Sequence, residues 1–180
     1  MNRLYGKPLV TQEDMRARIR ELGKEITRDY RDKDLILIGV LKGAFTFFAD
    51  LTRAIRLPIQ IDFLIVKSQK AKGSSSGKIK ILSDLTEDIK GRHVLVVEDI
   101  VDSGSTVEQI IKRLRKRKPS SLGVCALLSK TVRRQVGVKV QYVGFEIPDQ
   151  YVVGYGLDYQ QKYRNLPYLA VLDSRVIEPS

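Results

Sequence analysis

With 180 residues, 43% of them apolar and 29% charged, the chain has the composition of a soluble globular protein, long enough to bury a substantial core as one domain. Its longest apolar runs, such as LILIGVL at 35–41, are too short for a membrane-spanning helix, and a single cysteine excludes an internal disulfide. The net charge of +11, from 32 basic and 21 acidic residues, favours anionic partners without choosing among nucleic acid, acidic lipid and phosphorylated small molecules.

The opening residues carry acids early and lack the apolar core of a signal peptide. With Cys125 as the one thiol, a reducing cytoplasm is expected. Residues 10–30, VTQEDMRARIRELGKEITRDY, read as an amphipathic helix: Thr11 stands at its N-cap, Asp14 in the capping-box position, and Ile19, Leu22 and Ile26 recur at helical spacing. DLILIGVL (34–41) is a continuous apolar run of strand length, as expected for a strand covered on both faces. After Lys42-Gly43, AFTFFADLTRAI (44–55) predicts a helix. PIQIDFLIV (58–66) and KIKIL (78–82) predict two strands of a hairpin arm, joined by the polar loop KSQKAKGSSSG at 67–77. Further strands are expected at 93–97, 122–128, 140–145 and 168–172, with a helix opening near residue 104. Strands alternating with helices predict an α/β domain with a central, mostly parallel sheet flanked by helices. A small hood built from the N-terminal segment and the C-terminal part completes it. Cys125, inside LGVCALL, reads as a buried strand residue and not a nucleophile. His93 has no partner at metal-ligand spacing and reads as structural.

The chemistry concentrates in VLVVEDIVDSGSTVEQI, residues 94–110. Three carboxylates, Glu98, Asp99 and Asp102, crowd the end of an apolar strand, although like charges repel. In α/β sheets ligands bind beyond the carboxyl ends of strands, which is where these acids fall. Val107, Ile110, Ile111 and Leu114 follow helical spacing, so Ser103-Gly104-Ser105-Thr106 forms the strand-to-helix turn. Its backbone N–H groups and the helix dipole suit a phosphate monoester, and the three hydroxyls add donors. The neighbouring acids suit a vicinal diol or a hydrated Mg²⁺. A ribose 5-phosphate satisfies both halves. Helix capping by Asp102 explains one carboxylate but not three. The Gly-Lys-Ser/Thr signature of a Walker loop is absent.

VLVVEDIVDSGST resembles the phosphoribosyl-diphosphate signature of the type I phosphoribosyltransferase family. LKGAF (41–45), LLSKTVRR (127–134) and VGFEIPDQYVVGYGLDYQQKYRNLP (143–167) extend that resemblance over nearly the whole chain, toward the branch acting on 6-oxopurines. The resemblance implies transfer of a 5-phosphoribosyl group from phosphoribosyl diphosphate to N9 of hypoxanthine or guanine, with Mg²⁺ as cofactor. It assigns Ser103, Gly104, Ser105 and Thr106 to the 5-phosphate, Glu98 and Asp99 to the ribose hydroxyls, and Asp102 to general acid/base work at the purine N7. Lys42, Gly43, Arg164, Ser68 and Gln69 fall to pyrophosphate, with a cis peptide before Lys42. Lys130 falls to the purine O6, Tyr151 to stacking on the base, and Val152 and Asp158 to its other edge through their backbones. The Asp158 side chain, with Glu98 and Asp99, matches the metal ligands. The resemblance further implies a homodimer or homotetramer.

One departure concerns the loop at 67–77. The family usually carries Ser-Tyr at its base, whereas this chain has Ser68-Gln69, followed by Lys70 and Lys72, which can attract pyrophosphate in place of the missing aromatic shield. Two rival readings remain: an RNA-binding attenuation regulator on the same fold, kept open by KRLRKRKPSS (112–121), and a xanthine-preferring transferase. The basic run occupies the last turns of a helix, where cations complement the dipole, which favours a solvated helix end over nucleic-acid binding.

Overall fold

Alternate residues of the apolar strand runs point to opposite sides of one sheet, and helices cover both sides. The computed structural model describes residues 5–69, 78–133 and 136–173. The main sheet contains β2 (Leu35–Leu41), β3 (Gln60–Gln69), β4 (Lys78–Ser83), β5 (His93–Val101), β6 (Ser121–Ser129) and β7 (Tyr142–Glu146), in the order β4-β3-β2-β5-β6-β7. All neighbours are parallel except β3 and β4, the antiparallel arm.

Leu35 and Leu37 of β2, Leu95 and Val97 of β5, and Cys125 and Leu127 of β6 join α1 (Gln12–Asp29) and α2 (Phe45–Ala54) in one core. Ile36, Ile38 and Val40, with Val94 and Val96, face the other way onto Ile110 and Leu114 of α3 (Ser105–Arg115). That alternation makes a three-layer α/β/α stack. Thr11 caps α1 as expected: its Oγ1 accepts from Asp14 N–H (3.1 Å) and donates to the Asp14 carboxylate (2.7 Å). Phe47 is fully buried between α2 and the sheet. Phe47→Ala is expected to cost about 3–5 kcal/mol through the cavity it leaves, read as a lower urea midpoint with unchanged slope.

A second, three-stranded antiparallel sheet joins both ends of the chain: β1 (Tyr5–Val10), β9 (Leu169–Leu172) and β8 (Val152–Val153), in the order β1-β9-β8. Val10, Val152 and Leu169 share the core of α1 and α2, so this sheet is an extension of the main body. The expected strand at 168–172 belongs to this sheet. β1 and β8 carry too short an apolar pattern to be read from sequence.

The strand expected at 93–97 is longer than predicted. β5 runs to Val101 because β6 pairs with it through Glu98↔Ala126, Ile100↔Leu128 and Val101↔Ser129. Glu98 and Asp99 therefore lie within the strand, held by its ladder, and not on a loop beyond it. Cys125 is buried, and burial pushes its thiol well above the ordinary range. His93 binds Ser121 through Nδ1 (2.7 Å) and meets the Tyr30 ring edge-on, a structural setting.

Candidate active site

The five parallel strands, counted in chain order, lie in the sequence 2-1-3-4-5. From β2 the chain turns to α2 on one face, and from β5 it turns to α3 on the other. The connections that leave these neighbouring strands thus diverge to opposite faces and open a crevice between them, the ligand position of open α/β sheets. Lys42-Gly43 follows β2, with Lys42 exposed and the Leu41–Lys42 peptide cis. A Cβ at Gly43 would stand 1.6 Å from Asp99 Oδ2, so only glycine lets the two strand ends close on each other.

Glu98 is buried, and desolvation, followed by the adjacent Asp99 charge, pushes its carboxyl well above the ordinary range. Asp99 is pushed up to about 6, chiefly by desolvation, while the Ile100 N–H bond to its Oδ1 (2.7 Å) and the Arg164 charge oppose the shift. Two acids held together out of water create a site that favours a hydroxyl-bearing or cationic partner.

Beyond them the chain turns into α3. The N-cap is Gly104, at φ 87°, and no side chain caps the helix. Apart from that of Ser105, the first-turn N–H groups are thereby left to an anion. Ser103 Oγ accepts from Ser105 N–H (3.3 Å), and Thr106 follows within the first helical turn. Asp102 does not cap: its Oδ1 is buried without a hydrogen-bond partner among the described residues, and its Oδ2 lies 3.9 Å from Arg133. Its neighbour Val101 accepts from Lys130 N–H (3.0 Å), so Lys130 starts beside the same crevice.

Lys130 is a buried lysine, with its amine 3.4 Å from Asp149. Asp149 also binds Arg133 Nε (2.6 Å), whose charge holds the Asp149 carboxyl below its ordinary value. Sequence reasoning gave Asp149 and Arg133 no role. The one signal available was an acid two positions before Tyr151 in a segment otherwise read as base-binding. Tyr151 is half-exposed, its hydroxyl donating to the Asp158 carbonyl (3.2 Å) and its ring edge-on to Tyr159. Val152 lies on β8. Arg164 bridges the Asp158 carboxylate (2.6 Å) and the Gly156 carbonyl (2.7 Å). Gly156 abuts the Gly43 carbonyl, so this segment closes on the Lys42-Gly43 turn.

Ser68 and Gln69 end β3 on the arm, while Lys70, Lys72 and the rest of the loop to residue 77 lie outside the described residues. Among the described residues no group of three or more His, Cys, Asp or Glu is arranged to hold a metal ion, and Asp158 is engaged by Arg164 and Gln161 N–H (2.8 Å). A cavity of about 330 Å³ between α1 and α2, lined by Arg16, Arg20, Asp50, Arg53, Arg56 and Tyr155 among others, contains none of these site residues. The basic run at 112–121 is partly spent on ion pairs: Lys112 with Glu108 (2.9 Å), and Arg113 and Arg117 with Asp84 (2.5 and 2.7 Å). No helix among the described residues is long and apolar enough to cross a membrane.

Comparison with known proteins converges on the same chemistry. Residues 7–160 match the model of the phosphoribosyl transferase domain. A hypoxanthine-guanine phosphoribosyltransferase of Mycobacterium avium is 52% identical over 176 residues, covering 94% of this chain and 87% of that protein. A hypoxanthine phosphoribosyltransferase of Salmonella typhimurium is 47% identical over 163 residues, 89% of this chain and 92% of the relative. The crystal structure of a hypoxanthine phosphoribosyltransferase from Staphylococcus aureus superposes with a TM-score of 0.93 at 40% identity, covering 97% of this chain and 95% of that one. An α/β crevice with this turn, and relatives this similar along nearly their full length, have one common explanation: the chain belongs to the phosphoribosyltransferase family, among its hypoxanthine(-guanine) members.

Proposed function

We propose that the chain is a purine salvage enzyme that moves the 5-phosphoribosyl group from phosphoribosyl diphosphate to N9 of hypoxanthine or guanine, releasing pyrophosphate. The observation that carries this reading is Asp102: a buried, unpartnered acceptor oxygen between an uncapped helix N-terminus and a buried lysine. The 5-phosphate lies on Ser103, Gly104, Ser105 and Thr106, and the ribose diol on Glu98 and Asp99. A purine entering alongside then meets Asp102 at N7 and Lys130 at O6. Tyr151 stacks on the base, while the backbones of Val152 and Asp158 address its other edge; the Asp158 carbonyl keeps a second lone pair after accepting from Tyr151.

Lys42, Gly43, Arg164, Ser68 and Gln69 receive the pyrophosphate, whose growing charge is what preorganised cations stabilise. As C1 of the ribose gains positive character, N9 attacks from the opposite face and Asp102 takes the proton leaving N7. The donor set at Glu98 and Asp99 fits Mg²⁺, because two desolvated acids with raised carboxyl pKa values gain most from a neighbouring cation. Those two, with Asp158 once Arg164 turns to pyrophosphate, would hold it. When bound, Mg²⁺ supplies charge neutralisation on the leaving group.

The reading extends to one functional unit across all 180 residues, in the cytoplasm, as a homodimer or homotetramer. Exposed Ile61 and Phe63, on one face of β3, offer apolar surface for such an assembly. The test is pyrophosphate release with hypoxanthine, guanine and xanthine. Release with hypoxanthine or guanine is expected; salt-dependent RNA binding with no purine turnover would overturn the assignment. Gly43→Ala is expected to lower kcat/KM for phosphoribosyl diphosphate about 10²-fold, because the new methyl displaces the Asp99 carboxylate. Steady-state kinetics with that substrate varied checks it.

A further inference from the structure

Lys130 sits among the buried residues, where an ammonium group loses the hydration that would stabilise it. Among the described residues, Asp149 is the one carboxylate within 4.0 Å of its amine. The two oxygens of Asp149 are divided between two cations: Oδ1 faces the Lys130 amine at 3.4 Å, and Oδ2 accepts from Arg133 Nε at 2.6 Å. Arg133 in turn extends Nη1 to 3.9 Å from Asp102 Oδ2. The result is a line of alternating charge, Lys130, Asp149, Arg133, Asp102, that runs from the proposed O6 donor to the proposed acid/base. No other described ion pair touches the Lys130 amine or Asp102.

The members come from separate elements. Asp102 follows β5, Lys130 follows β6, Arg133 ends the 3-10 turn Thr131–Arg133, and Asp149 precedes Tyr151 on the way to β8. Asp149 joins the segment before Tyr151 to Lys130 and Arg133. Its side chain is 37% exposed, so a substitution there disturbs little packing. From this arrangement we infer that Asp149 is a positioning residue of the purine subsite, holding Lys130 toward O6 with one oxygen and anchoring Arg133 beside Asp102 with the other. The inference rests on the purine reading of Lys130 above and deepens it. Without the carboxylate the buried amine loses its counter-ion and turns toward water, and the O6 donor goes with it. Among the described hydrogen bonds and ion pairs, none joins Glu98, Asp99, Lys42 or Arg164 to Lys130, Asp149 or Arg133.

The test uses steady-state kinetics of the full chain with each substrate varied in turn, for Asp149→Asn, Asp149→Glu, Lys130→Ala and the double variant Lys130→Ala/Asp149→Asn. Asp149→Asn is expected to raise KM for hypoxanthine or guanine about tenfold, with KM for phosphoribosyl diphosphate within about twofold of wild type and kcat changed far less than the purine KM. Asp149→Glu, which restores the charge, is expected to recover most of the purine KM. The double variant is expected to match Lys130→Ala alone in purine KM, because Asp149 acts on that KM through Lys130. A normal purine KM in Asp149→Asn beside a raised one in Lys130→Ala overturns the positioning role and leaves the purine reading intact. A normal purine KM in Lys130→Ala overturns that reading itself. Equal rises in both KM values, additive effects in the double variant, or no recovery with Asp149→Glu reduce Asp149 to a structural residue and overturn the inference.

Discussion

Asp102→Asn is expected to lower kcat by about 10²–10⁴-fold, the range for losing a positioned general acid/base, while KM for phosphoribosyl diphosphate stays within a few fold. The substitution preserves shape and the strand-to-helix turn, since Asp102 makes no cap bond to α3. What it removes is an acceptor able to take a proton. Asp102 Oδ1 is buried with no partner among the described residues, which costs about 1–3 kcal/mol in the absence of substrate. A fold that tolerates that cost keeps an oxygen ready for a proton that only a ligand brings. Rapid-quench or steady-state measurement of pyrophosphate release distinguishes the outcomes. Retention of kcat within about threefold of wild type would remove Asp102 from the chemistry and leave the phosphate turn without its proposed base.

The second large effect concerns stability. Asp99→Asn is expected to raise the melting temperature of the ligand-free protein at pH 7 and to weaken phosphoribosyl diphosphate binding. The Asp99 carboxyl is pushed up to about 6 from an ordinary 3.8, first by desolvation. Between those pH values the folded chain binds more protons than the unfolded one, so this group's contribution to stability declines as pH rises through the window. Above it the full cost is present, at most about 3 kcal/mol for a shift of about two units. Asparagine removes the charge and still accepts the Ile100 N–H bond through its Oδ1. It also relieves Glu98 of a neighbouring charge that raises its own carboxyl pKa. The melting temperature should therefore exceed wild type by about 5 °C at pH 7 and by little at pH 4. The same variant loses a charged acceptor for the ribose diol, for an expected rise of about 10–100-fold in KM for phosphoribosyl diphosphate. Thermal melts at the two pH values check the first half; a melting point at or below wild type at pH 7 contradicts it. Stability gained where substrate affinity is lost is the pattern of a functional site.

Residue patterns alone made much of the fold legible. Apolar runs of strand length named β2, β5 and β6 as strands, and the continuous run of β2 as one covered on both faces, because such a run suits nothing exposed to water. Thr11 and Asp14 announced the start of α1 through a local hydrogen-bond pair. The short β1 and β8 were illegible, since their pairing partners lie far away along the chain and two or three apolar residues carry no period. The end of β5 was misjudged for a related reason. Charged residues looked like a strand terminus, yet the ladder with β6 carries the strand through them.

The candidate site divides in the same way. Residues 98–106 concentrate acids, a glycine and hydroxyls within nine positions, and that local crowding determined the phosphate and diol reading without any fold. Asp149 and Arg133 carried no such signal, because an isolated acid and an arginine in a basic stretch look like ordinary surface. Their significance depends on distances across β5, β6 and the segment before β8, and folding alone creates those distances. The sequence by itself determined which residues carry the phosphate and diol reading, through charge and turn chemistry that act over a few residues. The tertiary structure decided which strand ends meet at the crevice, that Gly43 must be glycine to admit Asp99, and that one buried lysine shares its counter-ion with an arginine beside Asp102. Close packing and ion pairing act through space between residues distant in the chain, so only the folded molecule can express them.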